Sequence, residues 1–113
     1  MPRDIRTYLY SIVENCGLIE KALDEVDFAA YQDDWEKRAV VERLFISIGE
    51  AAAQLRDQAP KQFESITNGH QLIGFRNKLT HAYLSIDDET VYKLAKQDAP
   101  ILREECAEFL DRL

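Results

Sequence analysis

Apolar residues recur at three- and four-residue steps along almost the whole chain, whereas alternation of period two is nowhere sustained. That pattern argues against a sheet-based fold and predicts an all-α one. In the first segment Ile5, Tyr8, Leu9, Ile12, Val13, Cys16, Ile19 and Leu23 make one face, so a helix is expected from about Pro2 to Leu23. Pro2 suits its first turn, and Gly17 is its one weak residue. The connection that follows carries Val26, Phe28 and Tyr31 and has room for a short helical turn. Asp33 or Asp34 is then placed to cap a second long helix. That helix should stop near Gln58, because Pro60 disfavours helical geometry at Ala59.

The second helix carries Val40, Val41, Leu44, Phe45, Ile48, Ala51, Ala52 and Leu55 as a broad apolar stripe. Gly49 and Ala51 to Ala53 are small enough for a close approach, either by another helix of this chain or by a second chain. A short piece around Lys61 to Ile66 is anchored by Phe63, and Thr67, Asn68 and Gly69 signal a turn. A third main helix should run from His70 to about Ala82 through Leu72, Ile73, Phe75 and Leu79. Ser85 or Asp87 can cap a fourth, and Asp98-Ala99-Pro100 is expected to reset the direction of a last helix carrying Ile101, Leu102, Cys106, Phe109 and Leu110. The expectation from the pattern is an all-α chain of four to five helices. Its 113 residues (1–113) leave room for one domain with one core.

Composition narrows what such a bundle can do. A hydrophobic content of 46% with only four Gly and three Pro sustains a core and excludes a disordered tail or a flexible linker. Twenty-one Asp and Glu against 14 Lys and Arg give a formal charge of −7, which excludes a broad phosphate-tracking surface. Contact with nucleic acid must therefore be local. No stretch reaches the ~18 consecutive apolar residues of a membrane span, and the charged start does not suit a secretory signal, so a cytoplasmic protein without membrane contact is expected. Cys16 and Cys106 have no Cys-x-x-Cys or Cys/His partner nearby and read as buried free thiols.

Chemistry concentrates in the segment from Gly74 to Tyr83, where Arg76, Asn77, Lys78, His81 and Tyr83 crowd one helix end. Asn77 and His81 are four apart and share a face, as do Arg76 and Tyr83 if the helix persists. Arg76 and His81 lie roughly 140° apart around the axis, so spacing alone does not bring them together. A two-fold axis that set two copies of this helix against each other would line one groove with both residue types from both chains. Such a set suits metal-free cleavage of RNA: an imidazole moves protons to or from the 2′-hydroxyl and the leaving oxygen, and a guanidinium holds the phosphorane bidentately. Asn77 would fix the imidazole tautomer or touch substrate, and Tyr83 would stack on a base or donate a hydrogen bond.

Each of these residues also has a plain structural reading. Arg76 suits a surface ion pair, His81 a helix end favoured by the macrodipole, Asn77 a solvated position and Tyr83 a core edge. His70 reads as a surface or helix-start residue. Asp87 and Asp88 suit helix capping, with metal or nucleotide contact as the other option. Glu50 is either an exposed flank or a partner for Arg76.

The octet from Arg76 to Tyr83 resembles the Arg-x4-His-x-Tyr pattern of the HEPN superfamily, and specifically of the HepT-like toxins of prokaryotic toxin–antitoxin pairs. The resemblance extends to the Arg3-Asp4-Ile5-Arg6 start, the Val41 to Ala52 segment with Ile48-Gly49-Glu50-Ala51-Ala52, Leu72 to Phe75, and Asp98-Ala99-Pro100. It covers nearly the whole chain. It implies an antiparallel helical bundle of four to five helices, homodimeric, whose two motif helices form a composite groove, with metal-independent ribonuclease activity and no cofactor. Arg76 and His81 would inherit the catalytic roles, with Asn77 and Lys78 beside them, and Arg43 adding to a small basic groove. The implied partner is an MntA-like nucleotidyltransferase antitoxin of a type VII system, which silences the toxin by adding AMP to the motif tyrosine, matched by Tyr83. The substrate would be tRNA or mRNA. The alternative is a non-catalytic helical module that binds the nucleotidyltransferase. A small-molecule nucleotide sensor has no phosphate loop to support it.

Overall fold

The computed structural model describes residues 4–81 and 86–113, and among these every regular element is helical. Asp4 caps α1 (Ile5–Ala22) by accepting the Arg6 N–H at 3.0 Å. The helix thus starts three residues later than the position of Pro2 suggested, Pro2 itself lying outside the described residues. Asp27 caps a short α2 (Phe28–Asp33), the turn anticipated in the connection. Of the two aspartates offered as the next cap, Asp34 is the one that serves. Its side chain accepts the Lys37 N–H at 3.1 Å and opens α3 (Trp35–Gln58). Ala59 leaves helical geometry before Pro60, which begins α4 (Pro60–Glu64) at a position where its missing N–H costs nothing. Next come α5 (Gly69–His81) and α6 (Asp88–Lys93), the latter capped by Asp87, while Ser85 lies outside the described residues.

The expected reset at Pro100 does not occur. From α6 the chain passes through a π-helical turn (Leu94–Asp98) straight into α7 (Ala99–Arg112), with helical dihedral angles at Asp98 and Ala99. Proline in a regular helix removes a hydrogen bond and crowds the carbonyl four residues back. Here the Ala99 N–H reaches Leu94 O instead, and the wider turn admits Pro100 without breaking the rod. The two closing helices of the sequence reading are therefore one continuous element.

The long helices form a row, α5 on α3, α3 on α1 and α1 on α7. α1 and α3 are antiparallel, since Gln58 Nε2 at the end of α3 donates to Tyr8 Oη at the start of α1 at 2.9 Å. α1 and α7 are also antiparallel, with Arg103 Nε donating to Glu20 Oε1 at 3.1 Å. Leu9, Ile12, Cys16 and Ile19 of α1 are fully buried between these neighbours, and Val41, Phe45, Ile48, Leu55, Leu102 and Cys106 complete the same core. Both cysteine thiols are free and pushed up to about 12 by burial, so they stay protonated and unreactive. Among the described residues no helix is long and apolar enough to cross a membrane.

At the corner where α2, α3 and α6 meet, Arg38 faces Asp88 at 3.9 Å, and the Tyr31 hydroxyl is buried without a hydrogen-bond partner among the described residues. Burial, and then the nearby Asp88 charge, push the Glu42 carboxyl above its usual range, against the opposing pull of Arg38. A carboxyl with a raised folded value binds its proton more tightly folded than unfolded. Its contribution is present below the ordinary glutamate value and is lost as pH rises through the folded one. Glu42→Gln is therefore expected to raise the thermal midpoint near neutral pH and to change it little below the ordinary glutamate value of about 4.3. Thermal unfolding across that range checks this, and an unchanged midpoint near neutrality contradicts it.

Candidate functional site

The helix that carries the candidate residues presents Leu72, Ile73 and Leu79 to the core. Arg76 lies on this inward side, half-buried, while Asn77, Lys78 and His81 are exposed. What fixes Arg76 is Gly49. A Cβ at Gly49 would stand 2.2 Å from Arg76 Cβ, 2.7 Å from its Cγ and 3.2 Å from Leu72 O, so the arginine stem occupies the space a side chain on α3 would need. The close approach offered by the small residues of α3 is thus made within one chain at Gly49. Beside it, Phe45 and Phe75 meet edge to face, their ring centroids 5.4 Å apart, and lock the same crossing.

Seated this way, the Arg76 Nε is buried and has no hydrogen-bond partner among the described residues. Leaving a buried donor unpaired costs about 1–3 kcal/mol, and more for a charged group. The arginine also lines an open cavity of about 670 Å³ between α1 and α3. With the stem held and Nε buried, the donors equipped to take an oxyanion from the cavity are those of the two Nη groups.

Lys78 and His81 stand in the last turn of α5, where positive charge complements the helix dipole. Thr80 Oγ1 donates to the carbonyls of Arg76 and Asn77, each at 3.1 Å, covering two carbonyls of that turn. No hydrogen bond or ion pair joins Arg76 to His81 among the described residues, in keeping with their angular separation. Tyr83 lies outside the described residues. Arg43 is exposed on α3.

The remaining candidates fall on their structural readings. His70 is exposed, its Nε2 3.2 Å from Glu64 Oε1 and its ring edge-on to Phe63. Asp87 caps α6 through the Glu89 N–H at 3.2 Å and the Thr90 hydroxyl at 3.0 Å. Glu50 is exposed and makes no ion pair with Arg76, although both line the same cavity. Two features were missed from sequence: the seat that Gly49 makes for Arg76, and the polar wall that Tyr8, Ser47 and Gln54 add beyond it. Gly49 between apolar neighbours was the available signal for the first. The second joins residues some fifty positions apart, as in the Tyr8–Gln58 bond, and had no local signal.

Comparison with known proteins bears on the whole chain. The family model described as "Ribonuclease HepT-like" matches residues 12–109. A Methanocaldococcus jannaschii protein with an RNase designation is 27% identical over 103 residues, covering 91% of this chain and 94% of its own. A Thermococcus cleftensis protein designated a ribonuclease HepT is 30% identical over 103 residues, with 91% and 93% covered. A Caldanaerobacter subterraneus protein with an RNase designation is 24% identical over 110 residues, covering 95% of both chains. No solved structure gives a significant match. With the family model spanning most of its length, this chain belongs to the HepT-like ribonuclease family.

Proposed function

We propose that this protein is the toxin of a type VII toxin–antitoxin system, a metal-independent endoribonuclease that works as a homodimer with Arg76 and His81 in the shared groove. The observation that carries the reading is Arg76, whose stem is seated on Gly49 while its side chain lines an open cavity. Family membership supplies the reaction class. His81, exposed at the end of the same helix, is free to meet substrate, and a second copy of α5 across a two-fold axis would close the angular gap between the two residues.

In the proposed reaction an imidazole takes the proton of a ribose 2′-hydroxyl, whose oxygen attacks the adjacent phosphorus. The bond from phosphorus to the 5′-oxygen breaks, and that oxygen leaves with a proton. The products are a 2′,3′-cyclic phosphate and a 5′-hydroxyl, and no water is consumed. Arg76 neutralises the charge that builds on the phosphorane oxygens. Lys78 and Asn77 border the site. An MntA-like nucleotidyltransferase would silence the protein by transferring AMP to Tyr83, placing a bulky anion where the RNA phosphate must enter and repelling it. The acidic balance of −7 fits a protein that holds RNA at one small basic site rather than along its surface.

The test is cleavage of total RNA by the purified dimer in EDTA, with end-group analysis. Fragments ending in 2′,3′-cyclic phosphate are expected. Absence of cleavage by a folded dimer, with Tyr83 shown free of AMP by mass spectrometry, would replace this reading with that of a non-catalytic module binding the nucleotidyltransferase.

A further inference from the structure

Beyond Arg76, the cavity wall is built of groups that a phosphate does not need. Tyr8 and Ser11 come from α1, and Ser47, Glu50 and Gln54 from α3. The three α3 residues follow one another at steps of three and four and so share a face. Arg56, also at this wall, donates its Nε to Asp57 Oδ1 at 3.1 Å, and the Asp57 carboxylate, which lines the wall as well, offsets its charge. Glu50 has no ion-pair partner among the described residues. The wall therefore offers a carboxylate, a carboxamide and hydroxyls, which repel a second phosphate and attract N–H groups.

The orientation of Tyr8 and Gln54 is set by a small network. Gln58 Nε2 donates to Tyr8 Oη at 2.9 Å and to Gln54 Oε1 at 3.3 Å. The Gln54 acceptor is thereby engaged, while among the described residues its own amide N–H groups and the Tyr8 O–H have no acceptor. Glu50, one turn earlier on α3, accepts. A donor and an acceptor side by side at the rim of a cavity of about 670 Å³ match the hydrogen-bonding edge of a splayed-out base in single-stranded RNA.

We infer that this cavity is a nucleobase subsite, which takes the base flanking the phosphate held by Arg76 and favours amino-bearing bases over uracil through Glu50 and Gln54. Adenine and cytosine present an exocyclic amino group to the Glu50 carboxylate beside a ring nitrogen that accepts from Gln54. Uracil presents a single N–H between two carbonyl oxygens, which face a carboxylate unfavourably. The phosphate half of this assignment rests on the ribonuclease reading above; the base half stands on the cavity wall.

Binding of 2′-O-methyl homo-oligonucleotides of A, C and U, which cannot be cleaved through the 2′-oxygen, separates the two halves. Fluorescence anisotropy of the wild-type protein should show A and C bound about 5- to 100-fold more tightly than U, the span of a good side-chain-to-base pair. Glu50→Gln and Gln54→Ala, both at exposed positions, should bring the three within about twofold of one another, whereas Arg76→Ala should weaken all three together. Equal binding of the three oligonucleotides by wild type, or a preference that survives both wall variants, overturns the subsite. If that occurs while total RNA is still cut in EDTA, the ribonuclease reading stands without it. A Glu50-dependent preference in a protein that cuts no RNA keeps the subsite and removes the ribonuclease reading.

Discussion

His81→Ala and Arg76→Ala are each expected to lower kcat/KM for RNA by about 10²- to 10⁴-fold while the helical content is kept. The lower figure corresponds to losing one charge-stabilising donor and the upper one to losing an effective proton carrier. His81 is exposed at the end of α5 and packs nothing in the core, so its removal should leave the thermal midpoint almost unchanged. Arg76 is half-buried, and truncating it removes an unpaired buried donor along with the packing of its stem, two effects of opposite sign on stability. Arg76→Lys should recover only part of the activity, since a point charge replaces the planar fork. His70→Ala serves as the control, because His70 is an exposed histidine on the same helix that faces Glu64. Cleavage rates and circular dichroism on the same preparations decide the matter. If His81→Ala unfolds the protein, or if His70→Ala costs as much activity, the assignment of His81 is wrong. Because two residues serving one transition state do not act additively, the double variant should be scarcely worse than the poorer single one.

Gly49→Ala should damage both stability and cleavage, against the usual expectation for a helix. Alanine replacing glycine inside a helix ordinarily stabilises by about 1 kcal/mol. Gly17, in the middle of α1, should behave that way, since a Cβ there would meet nothing within 4 Å. At Gly49 the same methyl group would stand 2.2 Å from Arg76 Cβ and 3.2 Å from the Leu72 carbonyl oxygen, and one of the contacts is backbone. α5 must shift outward or Arg76 must swing from its seat. Overpacking of this kind costs about 1–3 kcal/mol. The displaced guanidinium should also reduce kcat more than KM if it acts on the transition state. Thermal unfolding of Gly17→Ala beside Gly49→Ala is the comparison to make. A midpoint that rises in both would mean that the close crossing of α3 and α5 is not there.

Much of this fold was legible because local rules agreed with one another. The end of α3 at Gln58 follows from Pro60 alone, and the buried faces of α1, α3 and α5 follow from periodicity. Pro100 shows where a local rule fails. The rule states what a regular α-helix cannot accommodate, and the chain answers with a wider turn that no residue type announces. At the candidate site the sequence offers residue types, and their arrangement it does not offer. Helical rotation set Arg76 and His81 apart, and the structure keeps them apart within one chain. The seat on Gly49 and the wall of Tyr8, Glu50 and Gln54 depend on which helices lie side by side, and that is decided by packing rather than by neighbours in sequence. From sequence Glu50 could only be divided between an exposed flank and a partner for Arg76; the fold leaves it exposed and yet turned to the same cavity.

The row of helices also sets how the protein opens. Among the described residues α5 lies at one end of that row, with α3 as its one extensive neighbour and Phe63 closing over its first turn at Gly69. The free energy that holds α5 in place is thus that of a single seam, whereas α1 is gripped from two sides by α3 and α7. Amides of α5 should exchange with solvent through a local opening that spares the central helices. Opening that one seam would uncover Phe45 and Phe75 together with the inward face of α5, while the seam between α1 and α7 that carries the rest of the core stays closed.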